Sequence, residues 1–209
     1  MPNHKMDRFI DLNRKKVAFS FLTNSILFLS FLLIYNYYKG KALDLNTILL
    51  LSAGVGLPVL LIAAEWYQWY QKKSIRLKAF TLSPFDKLAE IGFQKHYVFA
   101  HSKLLFTEEV KRGEINDFDI ICDVDRNSPK QIDFKATTKS RKIPKKEFKE
   151  LKLTLKTHNI QFVSGTPIKS YNLKSIPYSN ITDLDSDLKQ FVDLLKDNGF
   201  EPLKENGKA

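Results

Sequence analysis

Cysteine is nearly absent from this 209-residue chain, with Cys122 the single example. That excludes an internal disulfide framework and suits a reducing compartment, where the thiol packs as a small apolar group. Four histidines, His4, His96, His101 and His158, are too scattered to complete a zinc shell with one thiol. The eight glycines form no phosphate-cradling loop, and no serine stands in a nucleophile elbow. Nucleotide hydrolysis by a P-loop, dinucleotide binding and serine-hydrolase chemistry therefore lack their first requirement. No cofactor is expected. Charge is missing most conspicuously from residues 17–38 and 45–64, which hold no Asp, Glu, Lys, Arg or His. A pathway for protons or ions through these runs has no side chain to carry it.

What fills the two runs is Leu, Ile, Phe and Val. Each run is about 20 residues, and at about 1.5 Å per helical residue it spans a hydrocarbon layer of about 30 Å. In the first, about a dozen apolar side chains each favour insertion by about 0.3 to 0.6 kcal/mol, outweighing Asn24 near mid-depth. Aromatic residues close both runs, Tyr35, Tyr37 and Tyr38 on one and Trp66, Tyr67, Trp69 and Tyr70 on the other. Such rings prefer the headgroup zone. Lys5, Arg8, Arg14, Lys15 and Lys16 precede the first run, and Lys72, Lys73, Arg76 and Lys78 follow the second. The connection has only Lys39 and Lys41 against Asp44. This distribution predicts a two-helix hairpin with both termini cytoplasmic, in a plasma (inner) membrane. A cleaved signal peptide fits less well: the run is long, no small-x-small site follows, and a second run comes soon after. Ser52 and Gly56, beside Gly54, are predicted to let the second helix approach the first or another copy of the chain.

The expected organisation is a basic N-terminus (1–16), a transmembrane hairpin (17–70, spans 17–38 and 45–66), a basic connector (71–82) and an α+β domain (83–209). Some 125 residues are enough for one independent core. Ser83 and Pro84 predict a cap and first turn, with Phe85, Leu88, Ala89 and Ile91 as the apolar face and Gly92 as the stop. Leu188, Phe191, Val192 and Leu195 predict a last helix that ends at Gly199. The two stretches share D-x-L-x-x-x-G-F, at 86–93 and 193–200, which reads as a common helix-ending device rather than a repeat.

Between these helices the period falls to two. Phe118, Ile120, Cys122 and Val124 alternate with acids, a turn is expected at 126–130, and Ile132, Phe134 and Ala136 continue the pattern. An earlier strand at 97–106, a helix at 144–158 with Phe148, Leu151 and Leu155 inward, and a strand at 160–163 complete the reading. It predicts a small, mainly antiparallel sheet covered by helices on one side.

Two groups of residues carry chemical interest. Asp117 and Asp119 open one hairpin strand, and Asp133, Phe134 and Lys135 lie on the next, with Glu90 on the helix before. In that order they resemble the PD-(D/E)xK nuclease superfamily, although Asn116 stands where that family has proline. The resemblance implies a divalent metal held by Asp117 or Asp119 with Asp133, and Lys135 beside the attacking water. Turn and cross-strand roles account for the same residues more simply. The second group is a basic segment in which Lys145, Lys149, Lys152 and Lys156 fall on one helical stripe. It suits an anionic leaflet, a protein partner or simply a solvated lysine face. Nucleic acid is not indicated, because no aromatic residues interleave the lysines. Part of the net charge of +10 belongs to the topology signals instead. The expectation is a membrane-anchored, non-catalytic binding protein, with a metal-dependent nuclease as the alternative. Its partners would be the bilayer and a protein, or further copies through the membrane helices.

Overall fold

Helical periodicity over the first third of the chain becomes two long helices, α1 (Asn3–Lys39) and α2 (Leu45–Ala79). The structure is a computed structural model and describes residues 3–40, 45–124, 128–139 and 144–203, without the side chains of 3–8, 45–51, 53 and 145. The connection at 41–44 and the first two residues of the turn expected at 126–130 lie outside the described residues. The chain divides into two units, residues 1–70 with 97–108, and residues 71–96 with 109–209.

In the first unit, the stretch Phe9–Lys39 of α1 is long and apolar enough to cross a membrane, by length and composition. It is the one such helix among the described residues, and almost all of its apolar surface is bare. Gly54 of α2 lies against α1, where a Cβ would lie 2.9 Å from the Phe28 ring. Pro58, one turn on, is also buried. Ser52 and Gly56 are exposed, and a Cβ on Gly56 would meet nothing within 4 Å. The small-residue pair is thus displaced by two positions from the side that touches α1. Two positions turn an α-helix by about 200°, which moves a residue to the opposite face.

The second unit is a six-stranded sheet with helices. Its strands are β1 (Gln94–Val98), β2 (Glu108–Ile115), β3 (Phe118–Asp123), β4 (Gln131–Thr137), β5 (Ile160–Val163) and β6 (Thr166–Asn172). They lie in the order β1-β2-β3-β4-β6-β5, and β2 to β6 pair antiparallel. Alternation makes the core: Phe118, Ile120, Cys122, Ile132, Phe134 and Ala136 are all fully buried. They join one cluster with Leu155 of α3 (Lys145–Lys156) and Leu184, Leu188, Phe191, Val192 and Leu195 of α4 (Ile181–Asp197). Ile75 and Ala79, in the last turns of α2, belong to the same cluster. The Asn180 side chain caps α4 by accepting the Asp183 N–H at 2.8 Å.

The shared D-x-L-x-x-x-G-F is a helix-ending device. Phe93 donates its N–H to Leu88, and Phe200 donates to Leu195, across Gly92 and Gly199 in the left-handed region. In both cases the bonded Leu and Phe are buried, the apolar closure that accompanies this C-terminal motif. The first of these segments is a 3-10 helix, Phe85–Ile91, and Ser83 does not cap it. The Ser83 hydroxyl donates instead to the Ser179 carbonyl at 3.1 Å.

Two strand expectations are corrected. The single strand placed at 97–106 is replaced by β1 and β2 flanking an irregular segment at 99–107. β6 follows β5 through Ser164 and Gly165, both at positive φ, where no strand was expected. Its inward positions include Lys169, 5% exposed, so charge hides the alternation.

Candidate functional site: a lysine-lined groove

The acidic constellation is distributed by the register of the sheet. Asn116 and Asp117 are the two loop residues of the β2–β3 hairpin, both at positive φ, between paired Ile115 and Phe118. This is the tight turn whose twist matches the strands, and Asn and Asp are residues that accept it. Asp119 is gripped by Arg112, with Nε at 2.6 Å from Oδ1 and Nη2 at 2.6 Å from Oδ2. His96 lies 3.3 Å from the same guanidinium. Asp133 stands opposite Ser170 and accepts its hydroxyl at 2.7 Å.

Asp119, Asp133 and Lys135 do share the outer face of the sheet, as alternation requires. Asp119, however, pairs with Thr137, four positions along β4 from Asp133. At about 3.3 Å per residue that is about 13 Å, whereas one hard cation binds its oxygens at about 2.0 to 2.6 Å. The structure therefore does not bring these two carboxylates onto a common ion. The acid directly opposite Asp133 is Asp123. It is held by Arg76 of α2, bidentate through Nε and Nη2, with side chains only 8% and 15% exposed. Glu90 is exposed on the 3-10 helix. Among the described residues, no group of three or more His, Cys, Asp or Glu is gathered to hold a metal ion. The Cys122 thiol is fully buried, and burial with the nearby Asp123 and Asp133 raises its pKa well above the ordinary thiol value. A buried neutral thiol is not a nucleophile.

The basic stripe has a different fate. Lys149, Lys152 and Lys156 line one groove of about 500 Å³ with Leu153, Ile160, Gln161 and Phe162. The side chain of Lys145 lies outside the described residues. Helical spacing places the lysines at i, i+3 and i+7, and Leu153 falls among them at i+4 from Lys149. Leu153 is 62% exposed, an apolar side chain set within a cationic rim. The Lys152 ammonium lies 5.4 Å from the Phe148 ring centroid, which orients it. Behind the groove, Leu155 is fully buried, and Phe148 packs edge to face on Phe162 at 5.4 Å. The opposite wall is β5, the last strand of the sheet, paired to β6 alone. The lysines were legible as a stripe. The wall residues Gln161 and Phe162 were not, and the one available signal was Leu153 interrupting an otherwise polar face.

A second depression, about 610 Å³, lies beside the end of β4 and is lined by Lys135, Thr137, Thr138, Lys139, Ser164 and Thr166 among others. One of its two cations is already partnered: Lys139 donates to Glu201 at 2.7 Å, a bond that lowers the Glu201 pKa below the usual carboxylate range. The α3–β5 groove presents more positive charge beside apolar wall.

Comparison with protein-family models, with curated proteins and with solved structures gives no match to this chain.

Proposed function

We propose that this chain is a membrane-anchored binding protein whose α+β domain takes an acidic, extended protein segment into the α3–β5 groove, without catalysis. The anchor is read as a two-helix hairpin in the plasma (inner) membrane, with the domain and both termini in the cytoplasm. The observation that carries the binding reading is the convergence of Lys149, Lys152 and Lys156 with Leu153 on one groove beside an edge strand. An edge strand offers free main-chain donors and acceptors for strand addition, and wall side chains select the guest. Three cations at the rim favour carboxylates, each exposed pair contributing about 0.2 to 1 kcal/mol and accelerating encounter. A groove suits an extended chain better than a flat leaflet does. Its apolar wall also gives alternate guest side chains somewhere to go.

The test is fluorescence anisotropy of a labelled peptide of alternating Glu and Val, titrated with the full chain in neutral-lipid nanodiscs. Binding that weakens as salt rises, and that falls at least about tenfold (about 1.4 kcal/mol) in Lys149→Glu/Lys152→Glu/Lys156→Glu, is the expected result. Equal binding by the charge-reversed chain would contradict the groove assignment. So would no peptide binding alongside capture of anionic vesicles, which would identify the leaflet as the ligand.

A further inference from the structure

We propose that the β1–β2 connection, residues 99–106, is a second membrane contact, a short apolar loop that dips into the lipid interface beside α1. The inference rests on the reading of α1 as a membrane helix. The connection carries Phe99, Leu104 and Leu105, which are 47%, 79% and 53% exposed, with Tyr97 before it at 42%. Four large apolar groups within nine residues are rarely left bare in water without a partner.

The partner follows from where the loop is tied. Residues 97–108 belong to the same compact unit as the long helices. The Lys16 ammonium donates to the Leu105 carbonyl at 2.8 Å, to the Thr107 hydroxyl at 2.9 Å and to the Phe99 carbonyl. Lys16 is the last residue before the charge-free run that starts at Val17. One turn earlier on α1, Asn13 accepts the Thr107 N–H at 2.7 Å. Trp69 of α2 donates to the Thr107 carbonyl at 2.9 Å. A further turn back, Phe9 packs on Phe106 and Trp69, at 5.1 and 5.3 Å between ring centroids.

These contacts tie the loop to α1 where its charge-free run begins. Phe106 packs on Phe9, while the Phe99 and Leu105 carbonyls and the Thr107 hydroxyl converge on Lys16, at the start of the apolar run. Leu104 and Phe99 are therefore held at the edge of the hydrocarbon layer. The Ser102 hydroxyl accepts the N–H groups of Leu104 and Leu105, at 3.2 and 2.9 Å, which fixes the turn that presents both leucines. Exposed His101 and Lys103 flank them and suit phosphate headgroups. Three oxygens of the loop take the place of water around the Lys16 ammonium.

The experiment places a nitrobenzoxadiazole probe on Leu104→Cys in the full chain, reconstituted in nanodiscs that contain anionic lipid. Cys122 is buried and escapes labelling. Leu27→Cys, mid-way along α1, and Asp197→Cys, exposed at the end of α4, are the lipid and water references. The proposal expects the Leu104 probe to be blue-shifted from the Asp197 probe, quenched by nitroxide lipids labelled near the headgroup, and shielded from aqueous iodide. A Leu104 probe as wet as the Asp197 probe, with the Leu27 probe in lipid, overturns the loop proposal and leaves the anchor intact. Water around both Leu104 and Leu27 removes the anchor, and the loop contact with it.

Discussion

Asp187 on α4 holds two partners at once, with Lys169 Nζ donating to Oδ1 and the Tyr171 hydroxyl donating to Oδ2, each at 2.6 Å. Both partners come from β6 and are 5% exposed, so the carboxylate joins helix to sheet inside the domain. Breaking such a trio by removing one member costs more than the trio contributes, because a buried charge or hydroxyl is left without a partner. Burial, reinforced by the Asp187 carboxylate, raises the Tyr171 pKa far above its ordinary value of 10.0. The native state thus keeps the proton while an unfolded chain releases it above about pH 10. Stability from this group is complete below that pH and falls by about 1.4 kcal/mol per unit above it. Urea unfolding of the full chain in micelles between pH 9 and 11.5 checks this. Wild type should lose stability with that extra slope, and Tyr171→Phe should lack it.

Secondary-structure elements were legible in proportion to the cleanness of their periodicity. β3 and β4 alternate without error, and every residue expected to face inward does so. α4 was equally readable, and so was the glycine end, though not the Ser83 cap, of the 3-10 helix Phe85–Ile91. β2 was hidden because Glu108, Glu109, Lys111, Arg112 and Glu114 leave only Val110 and Ile115 as large apolar signals. Its partner-facing pairs, such as Arg112 with Asp119, are cross-strand facts that a linear pattern does not contain. The same limitation affects the acidic constellation. Asp119, Asp133 and Lys135 share one polar face, but distance along that face is decided by the β3–β4 register, which sets Asp123, not Asp119, opposite Asp133 and is not contained in a linear pattern. β2 also has a packing constraint at Gly113, where a Cβ would sit 2.8 Å from the Phe93 ring. Phe93 is fully buried and has no room to yield. Gly113→Ala should therefore destabilise the domain by about 1 to 3 kcal/mol, read as a lower urea midpoint at unchanged slope. An unchanged midpoint would show that the ring can move.

At the scale of the whole molecule, α1 is the element on which the proposed membrane placement rests. Its apolar surface is exposed along most of Phe9–Lys39. A soluble fold would bury that surface, since large contiguous apolar patches are rare on proteins that live in water. Net charge of +10 fits the proposed hairpin, in which the basic residues at 5–16 and 72–78 would flank the runs on one side. One of these, Arg76, has a second role: its salt bridge to Asp123 draws the end of α2 into the domain. The proposed binding groove and the proposed interfacial loop both depend on this placement, one for its setting and the other for its existence. The most direct measurement is alkaline carbonate extraction of washed membranes from cells that express the full chain. An integral anchor predicts that the protein stays in the pellet and is released only by detergent. Recovery of monodisperse protein in the aqueous supernatant would contradict it.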